Sequence, residues 1–260
     1  MSKPSQVTVP NKSTSRLEVI EHEGGRHIRW IIDPTGYVSS MVIDQPDLLS
    51  DGYDIPMIQP VVLIDDARDV ILIGLGGGQQ AKFIHCHLPH LRIVAMEIDA
   101  AMVDIARNDF GLPPDDERLQ VLIGDAAELI AGYTGQCDLL ISDAYDEQNQ
   151  IVDALHTEAF YHTCHRILRS GGIMTVNIFR PPAEWGIGYI KMLRRIFAEV
   201  YLTSLTAEQL VITLCKCPIG PDWDAIARRA AEFDPAFGLE LPEFVAKFPR
   251  LTAAPAELPG

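Results

Sequence analysis

A chain of 260 residues, 47% of them hydrophobic and 22% charged, has the length and composition of an ordinary globular protein with a full core. Its 36 acidic against 21 basic residues leave a net charge of -15, which excludes a phosphate-tracking nucleic-acid binder, because such a protein needs a basic face to displace counterions. The longest apolar runs, at residues 61–64 and 70–75, are too short to span a bilayer.

Residues 1–15 are polar, carry Pro4 and Pro10, and contain no apolar segment like that of a secretory signal, so they are expected to form a flexible end of a soluble, cytoplasmic protein. Residues 16–60 read as a small antiparallel β domain. Three β-rich runs, at 17–22, 26–32 and 37–43, are separated by Gly24-Gly25 and by Asp33-Pro34-Thr35-Gly36, both turn sequences. From residue 61 to about 250 the texture changes to short apolar runs alternating with amphipathic ones, the pattern of a parallel sheet covered by helices. Strands are expected at 70–73, 92–97, 119–123, 137–142 and 173–178, with helices at 79–88, 100–108, 126–131 and 158–168 between them. Gly171-Gly172 is expected to break the last of these helices. Strand-like runs at 200–205 and 209–215 complete a mostly parallel sheet of seven strands, a methyltransferase-like Rossmann fold with helices on both faces. Helical stretches follow at 222–232 and 242–248, and residues 251–260 form a Pro-containing, flexible C-terminus.

In an open parallel sheet, ligands bind beyond the carboxyl ends of the strands. Four features fall there. Gly74, Gly76, Gly77 and Gly78 follow the first strand, where absent side chains admit a ligand to the backbone and the next helix presents free N–H groups. Glu97 ends the second strand, at the position where one carboxylate can accept both hydroxyls of a ribose. Asp125, in Gly124-Asp125-Ala126, follows the third and either accepts from the exocyclic amine of adenine or caps a helix. Asp143 follows the fourth. Gln79 and Gln80, at the start of the first helix, are placed to reach the same ligand through their amides. A dinucleotide-binding dehydrogenase would share the first two features, but its third fingerprint glycine is replaced by Gln79.

Five cysteines, an odd number, read as reduced thiols. Cys215 and Cys217 are expected to be buried on one face of a strand. His85-Cys86-His87 is not expected to bind metal, because adjacent side chains on a helix diverge. Trp185, Tyr189 and Phe197 read as core, and His156 and His162 as local hydrogen-bonding residues.

Taken in order, Ile71-Leu72-Ile73-Gly74-Leu75-Gly76-Gly77-Gly78, Met96-Glu97-Ile98-Asp99, Leu122-Ile123-Gly124-Asp125-Ala126, Ile141-Ser142-Asp143-Ala144-Tyr145-Asp146 and Phe160-Tyr161 ahead of Leu168-Arg169-Ser170-Gly171-Gly172 resemble the spermidine synthase (polyamine aminopropyltransferase) family over roughly residues 16–215. The resemblance implies transfer of an aminopropyl group from decarboxylated S-adenosylmethionine to a small-molecule amine, in a homodimer and without a metal. It assigns Glu97 to ribose, Asp125 to adenine, and Asp143 with Asp146 to the incoming amine; an amine attacks only when neutral, which makes Asp143 the expected base, and Tyr145, between the two acids, is expected to line the substrate slot. The chain departs from the family in three places. Gly77 stands where the family's glycine loop carries an aspartate for the donor's amine. Asp143-Ala144-Tyr145-Asp146-Glu147 keeps both acids of D-S-S-D-P but not the rest, and Tyr53-Asp54-Ile55 replaces Tyr-His-Glu. Loss of the acid at Gly77 removes a repulsion against the carboxylate of ordinary S-adenosylmethionine and so favours a methyltransferase as the alternative. A catalytically inactive nucleoside-binding protein is a third reading.

Overall fold

The computed structural model describes residues 7–8, 17–31, 36–49, 51–182, 185–219, 222–233 and 239–248. Most of the predicted flexible ends, and of the turn at 33–36, lies outside these residues. The N-terminal sheet is antiparallel, with β1 (Val7–Thr8), β2 (Leu17–His22), β3 (Gly25–Trp30) and β4 (Ser39–Val42) in spatial order 1-2-3-4. Between β2 and β3 the chain reverses through Glu23 and Gly24, both at positive φ (52° and 79°), the backbone that a two-residue hairpin requires.

The larger sheet comprises β5 (Asp69–Ile73), β6 (Arg92–Glu97), β7 (Leu119–Ile123), β8 (Cys137–Ser142), β9 (Leu168–Phe179), β10 (Glu199–Ser204) and β11 (Gln209–Cys215), ordered 10-11-9-8-5-6-7. The five strands from β7 to β9 are parallel, and β11 and β10 add as an antiparallel edge. Every residue of β8 is buried, as a central strand covered on both faces demands. After β5 the chain builds β6 and β7 to one side, then crosses to β8 on the other. The switch point therefore lies between the carboxyl ends of β5 and β8.

One face of the sheet is covered by α1 (Asp54–Ile58) with the 3₁₀ turn Gln59–Leu63, α2 (Gln79–His87), α3 (Ala100–Asn108), α7 (Trp223–Phe233) and α8 (Leu241–Lys247). The other is covered by α4 (Ala126–Gly132), α5 (Glu158–Ile167) and α6 (Gly186–Ile196). The small sheet is attached through Leu17, Val19, Ile28 and Met41, which pack on Met102 and Ile105 of α3 and on Phe110. Among the described residues no helix is long and apolar enough to cross a membrane.

Two local expectations are revised and one, the aromatic core, is met. Gly171-Gly172 does not break a helix: α5 ends at Ile167, β9 begins at Leu168, and the glycines form a bulge within it. Gly171 has φ of +78°, and the pairing with β8 shifts register between Cys137 and Leu139. A helix at Gly186–Ile196 carries the aromatic spacing read as core: Trp185 stacks on Tyr189 at 4.1 Å, and His156 lies 3.0 Å from the Tyr189 hydroxyl and 3.1 Å from that of Tyr161. Cys215 is buried at the end of β11, whereas Cys217 has left the sheet and meets Ser170 at the surface.

Candidate active site

The carboxyl ends of β5, β6, β7 and β8 open into a cavity of about 990 Å³, roofed by residues 36–39 of the small domain and by the segment around Tyr53. The glycine loop forms its floor. Gly74 has φ of +85°, and a Cβ there would lie 2.2 Å from the carbonyl oxygen of Asp143, so glycine is what lets the ends of β5 and β8 touch. A Cβ on Gly77 would meet the Phe110 ring at 2.5 Å and the Ser39 hydroxyl at 2.8 Å. The space that an acidic side chain would need is therefore filled by the core and by β4. Gly78 is left-handed at the N-cap of α2, and Gly76 also has positive φ.

Glu97 at the end of β6 is buried and lines the cavity; its Oε2 accepts from the Leu75 N–H and its Oε1 from that of Asp99, both at 3.0 Å. Burial raises its pKa against the pull of those backbone donors. Asp125 and Ala126 lie on the cavity wall. Asp125 is exposed and caps α4 through the Ala127 N–H at 2.8 Å, so its helix-capping role is realised.

Asp143, leaving β8, faces the cavity with its oxygens held by neutral donors. Asn177 Nδ2 donates to Oδ1 at 2.8 Å, Gln80 Nε2 to Oδ2 at 3.2 Å, and the Tyr53 hydroxyl also donates to it. The Asn177 amide is oriented by Gln209, which donates to its Oδ1 at 3.1 Å. Burial, with the nearby Asp51 charge, lifts the Asp143 pKa to about 6 against those hydrogen bonds. Tyr145 and Asp146 also line the cavity. The Tyr145 hydroxyl donates to the Asn177 carbonyl at 2.9 Å and accepts from the Phe179 N–H at 2.8 Å, which fixes the loop to β9. Asp146 Oδ1 accepts from the N–H groups of Gln148 and Gln150, each at 2.8 Å, and so shapes its own loop.

Two amides from the start of α2 diverge. Gln80 bridges the cavity acids, but the Gln79 side chain donates to the Pro46 and Leu48 carbonyls, at 3.3 and 3.1 Å, and thus clips the incoming chain instead of pointing its N–H groups at a ligand. The sequence reading missed Asp51, Asn177 and Gln209, and saw Asp54 only as a departure. Asn177 had a signal, a polar residue inside the apolar run of β9; Asp51, in a connecting loop, had none. Asp51 and Asp54 stand on the same wall as Asp143. Burial lifts the Asp51 pKa to about 6, and burial followed by the Asp51 charge raises Asp54 well above the carboxylate range. Away from the cavity, His85 pairs with Asp116 at 2.8 Å and His87 with Asp47 at 2.7 Å, so these two side chains turn to separate partners.

The family profile described as spermine/spermidine synthase domain matches residues 55–181. The polyamine aminopropyltransferase of Chromobacterium violaceum is 32% identical over 210 residues, covering 80% of each chain. Among solved structures, spermidine synthase from Thermotoga maritima superposes with a TM-score of 0.66 at 19% identity, covering 86% of this chain and 77% of that one. Human methyltransferase-like protein 13, solved in complex with SAH, gives a TM-score of 0.61 at 21% identity, covering 76% and 94%. These structural likenesses establish the shared α/β fold.

Proposed function

The chain belongs to the spermine/spermidine synthase family, and on that premise we propose that it moves the aminopropyl group of decarboxylated S-adenosylmethionine to a small-molecule amine, a step of polyamine biosynthesis. The observation that carries this reading is the wall formed by Asp51, Asp54 and Asp143, which share the cavity with Glu97. Among the described lining residues the cation is Arg180, which is paired with Glu208 at 2.9 Å. Carboxylates in a poorly hydrated wall repel the carboxylate of ordinary S-adenosylmethionine and attract ammonium groups. The wall thus outweighs the opposite inference drawn from Gly77 alone.

In this reading Glu97 holds the ribose, the glycine loop admits the nucleoside to the backbone, and Asp125 and Ala126 border the adenine. Amine attack requires a lone pair, so the acceptor reacts in its neutral form. Asp143 orients the nitrogen and takes its proton as the new C–N bond forms. The C–S bond breaks, its electron pair neutralises the sulfonium, and methylthioadenosine leaves. Asp146, with Tyr145 beside it, borders the path of the acceptor.

Calorimetry with the decarboxylated and carboxylated donors tests the assignment. Tighter binding of the decarboxylated compound is expected; equal or tighter binding of the carboxylated one, with methyl transfer to an amine, would establish the methyltransferase instead. Asp143→Asn is expected to lower kcat by at least about 100-fold, the usual scale of a general base, with nucleoside affinity retained. Full activity in that variant would remove Asp143 as the base.

A further inference from the structure

Asp54 is 2% exposed, yet only one of its oxygens is used: Oδ1 accepts from Gln80 Nε2 at 2.9 Å, while Oδ2, equally inaccessible, has no hydrogen-bond partner. An unsatisfied buried carboxylate oxygen costs stability, so native proteins keep few of them, and one beside a ligand cavity is open to a donor on the ligand. Asp54 lines the same cavity as Asp143, and Gln80 links the two carboxylates from the first turn of α2, beside the glycine loop. Across that loop, position 77 is closed to any side chain by Phe110 and Ser39. The chain thus lacks an acid in its glycine loop and has one on the cavity wall, in α1.

We infer that Asp54, through its free Oδ2, is the anchor for the primary ammonium of the donor's aminopropyl arm, the charge having moved from the glycine loop to α1. The inference rests on aminopropyl transfer as the reaction. Asp51 lies one turn away, where the Asp54 N–H donates to its carbonyl at 3.0 Å, and its charge adds to the attraction for a cation. Gln80 holds Asp54 and Asp143 at a fixed separation, so the arm is pinned at its amine end while its sulfonium carbon faces the base.

Burial keeps the Asp54 carboxyl above its ordinary pKa, so its charge is drawn out by an ammonium placed beside it; Asp54→Asn keeps the shape and an acceptor for Gln80 but cannot ionise. With no acceptor present, decarboxylated S-adenosylmethionine is expected to bind the variant about 10- to 100-fold more weakly, the scale of a lost charge-assisted hydrogen bond. Methylthioadenosine, which has the same nucleoside but no ammonium, should bind within about twofold of wild type, a comparison that separates a lost contact from a damaged fold. Asp54→His, which restores the family's residue at this position, is the second variant should the first not fold, with the same expectation. Unchanged discrimination between the two ligands in a folded variant would overturn the inference, as would a defect confined to the acceptor's KM. Failure of wild-type protein to bind the decarboxylated donor would instead overturn the reaction assignment.

Discussion

Gly74 and Asp143 come from strands separated by a long stretch of sequence, yet a single hydrogen in place of a methyl group decides whether they meet. A Cβ at Gly74 would overlap the Asp143 carbonyl, a backbone atom that cannot rotate away, and the φ of +85° strains any L side chain. Gly74→Ala is therefore expected to cost about 2–4 kcal/mol in urea unfolding and to lower turnover by displacing the base. Asp143 itself predicts a pH limb. Its pKa of about 6 in the free enzyme means that the proton acceptor is lost as pH falls, so kcat/KM should decline below about pH 6 with a slope of one. A flat profile between pH 5 and pH 7 would contradict the assignment. The sequence announced Asp143 because it ends an apolar strand. It marked Asn177 only as a polar residue in an apolar strand and gave no sign of Gln209, because their joint role depends on β9 and β11 lying side by side.

At the scale of elements, the parallel strands are tied at their amino ends by Asp138, the one acid within β8. Its Oδ2 accepts from the N–H groups of Arg68 and Asp69, at 2.8 and 2.9 Å, and from Arg169 at 2.6 Å, and Arg169 also reaches Asp69. Asp138→Ala leaves two backbone donors without their acceptor in a largely buried place, and the Arg169 guanidinium with Asp69 alone. A loss of about 2–4 kcal/mol is expected, read from urea midpoints, with active-site pKa values unchanged because the lesion lies at the far end of the sheet. The Gly171-Gly172 bulge was misread for a related reason. A glycine pair after a helical run ends a helix in most local contexts, but here β9 must keep pairing with β8 through its register shift. Neighbouring strands, and not local propensity, settled that segment.

For the whole molecule, buried acids and a buried histidine impose opposite pH dependences on stability. Asp51 and Asp143, with native pKa values near 6 against an ordinary 3.8, hold protons that the unfolded chain has released, so their contribution to stability falls as pH rises from about 4 to about 6. Asp51→Asn should accordingly gain in Tm relative to wild type across that window and level off above it. Burial depresses the pKa of His156 to about 4, so its contribution is present above pH 6.5 and is lost as pH falls towards 4; His156→Gln should flatten that slope. A Tm difference that does not vary with pH in either variant would show that burial of these groups is not what sets their protonation.

The sequence by itself determined the strands of the larger sheet, most of the helices between them, the glycine loop and the acids at the strand ends, because hydrophobic period and chain order are local properties. Tertiary structure alone decided that Phe110 and Ser39 close position 77, that Gln79 turns away while Gln80 turns in, and that Asp51, Asp54 and Asp143 share one wall. Those outcomes depend on how α1, α2 and the small sheet pack around one cavity. The meaning of a missing acid in the glycine loop is therefore set by a carboxylate from another element.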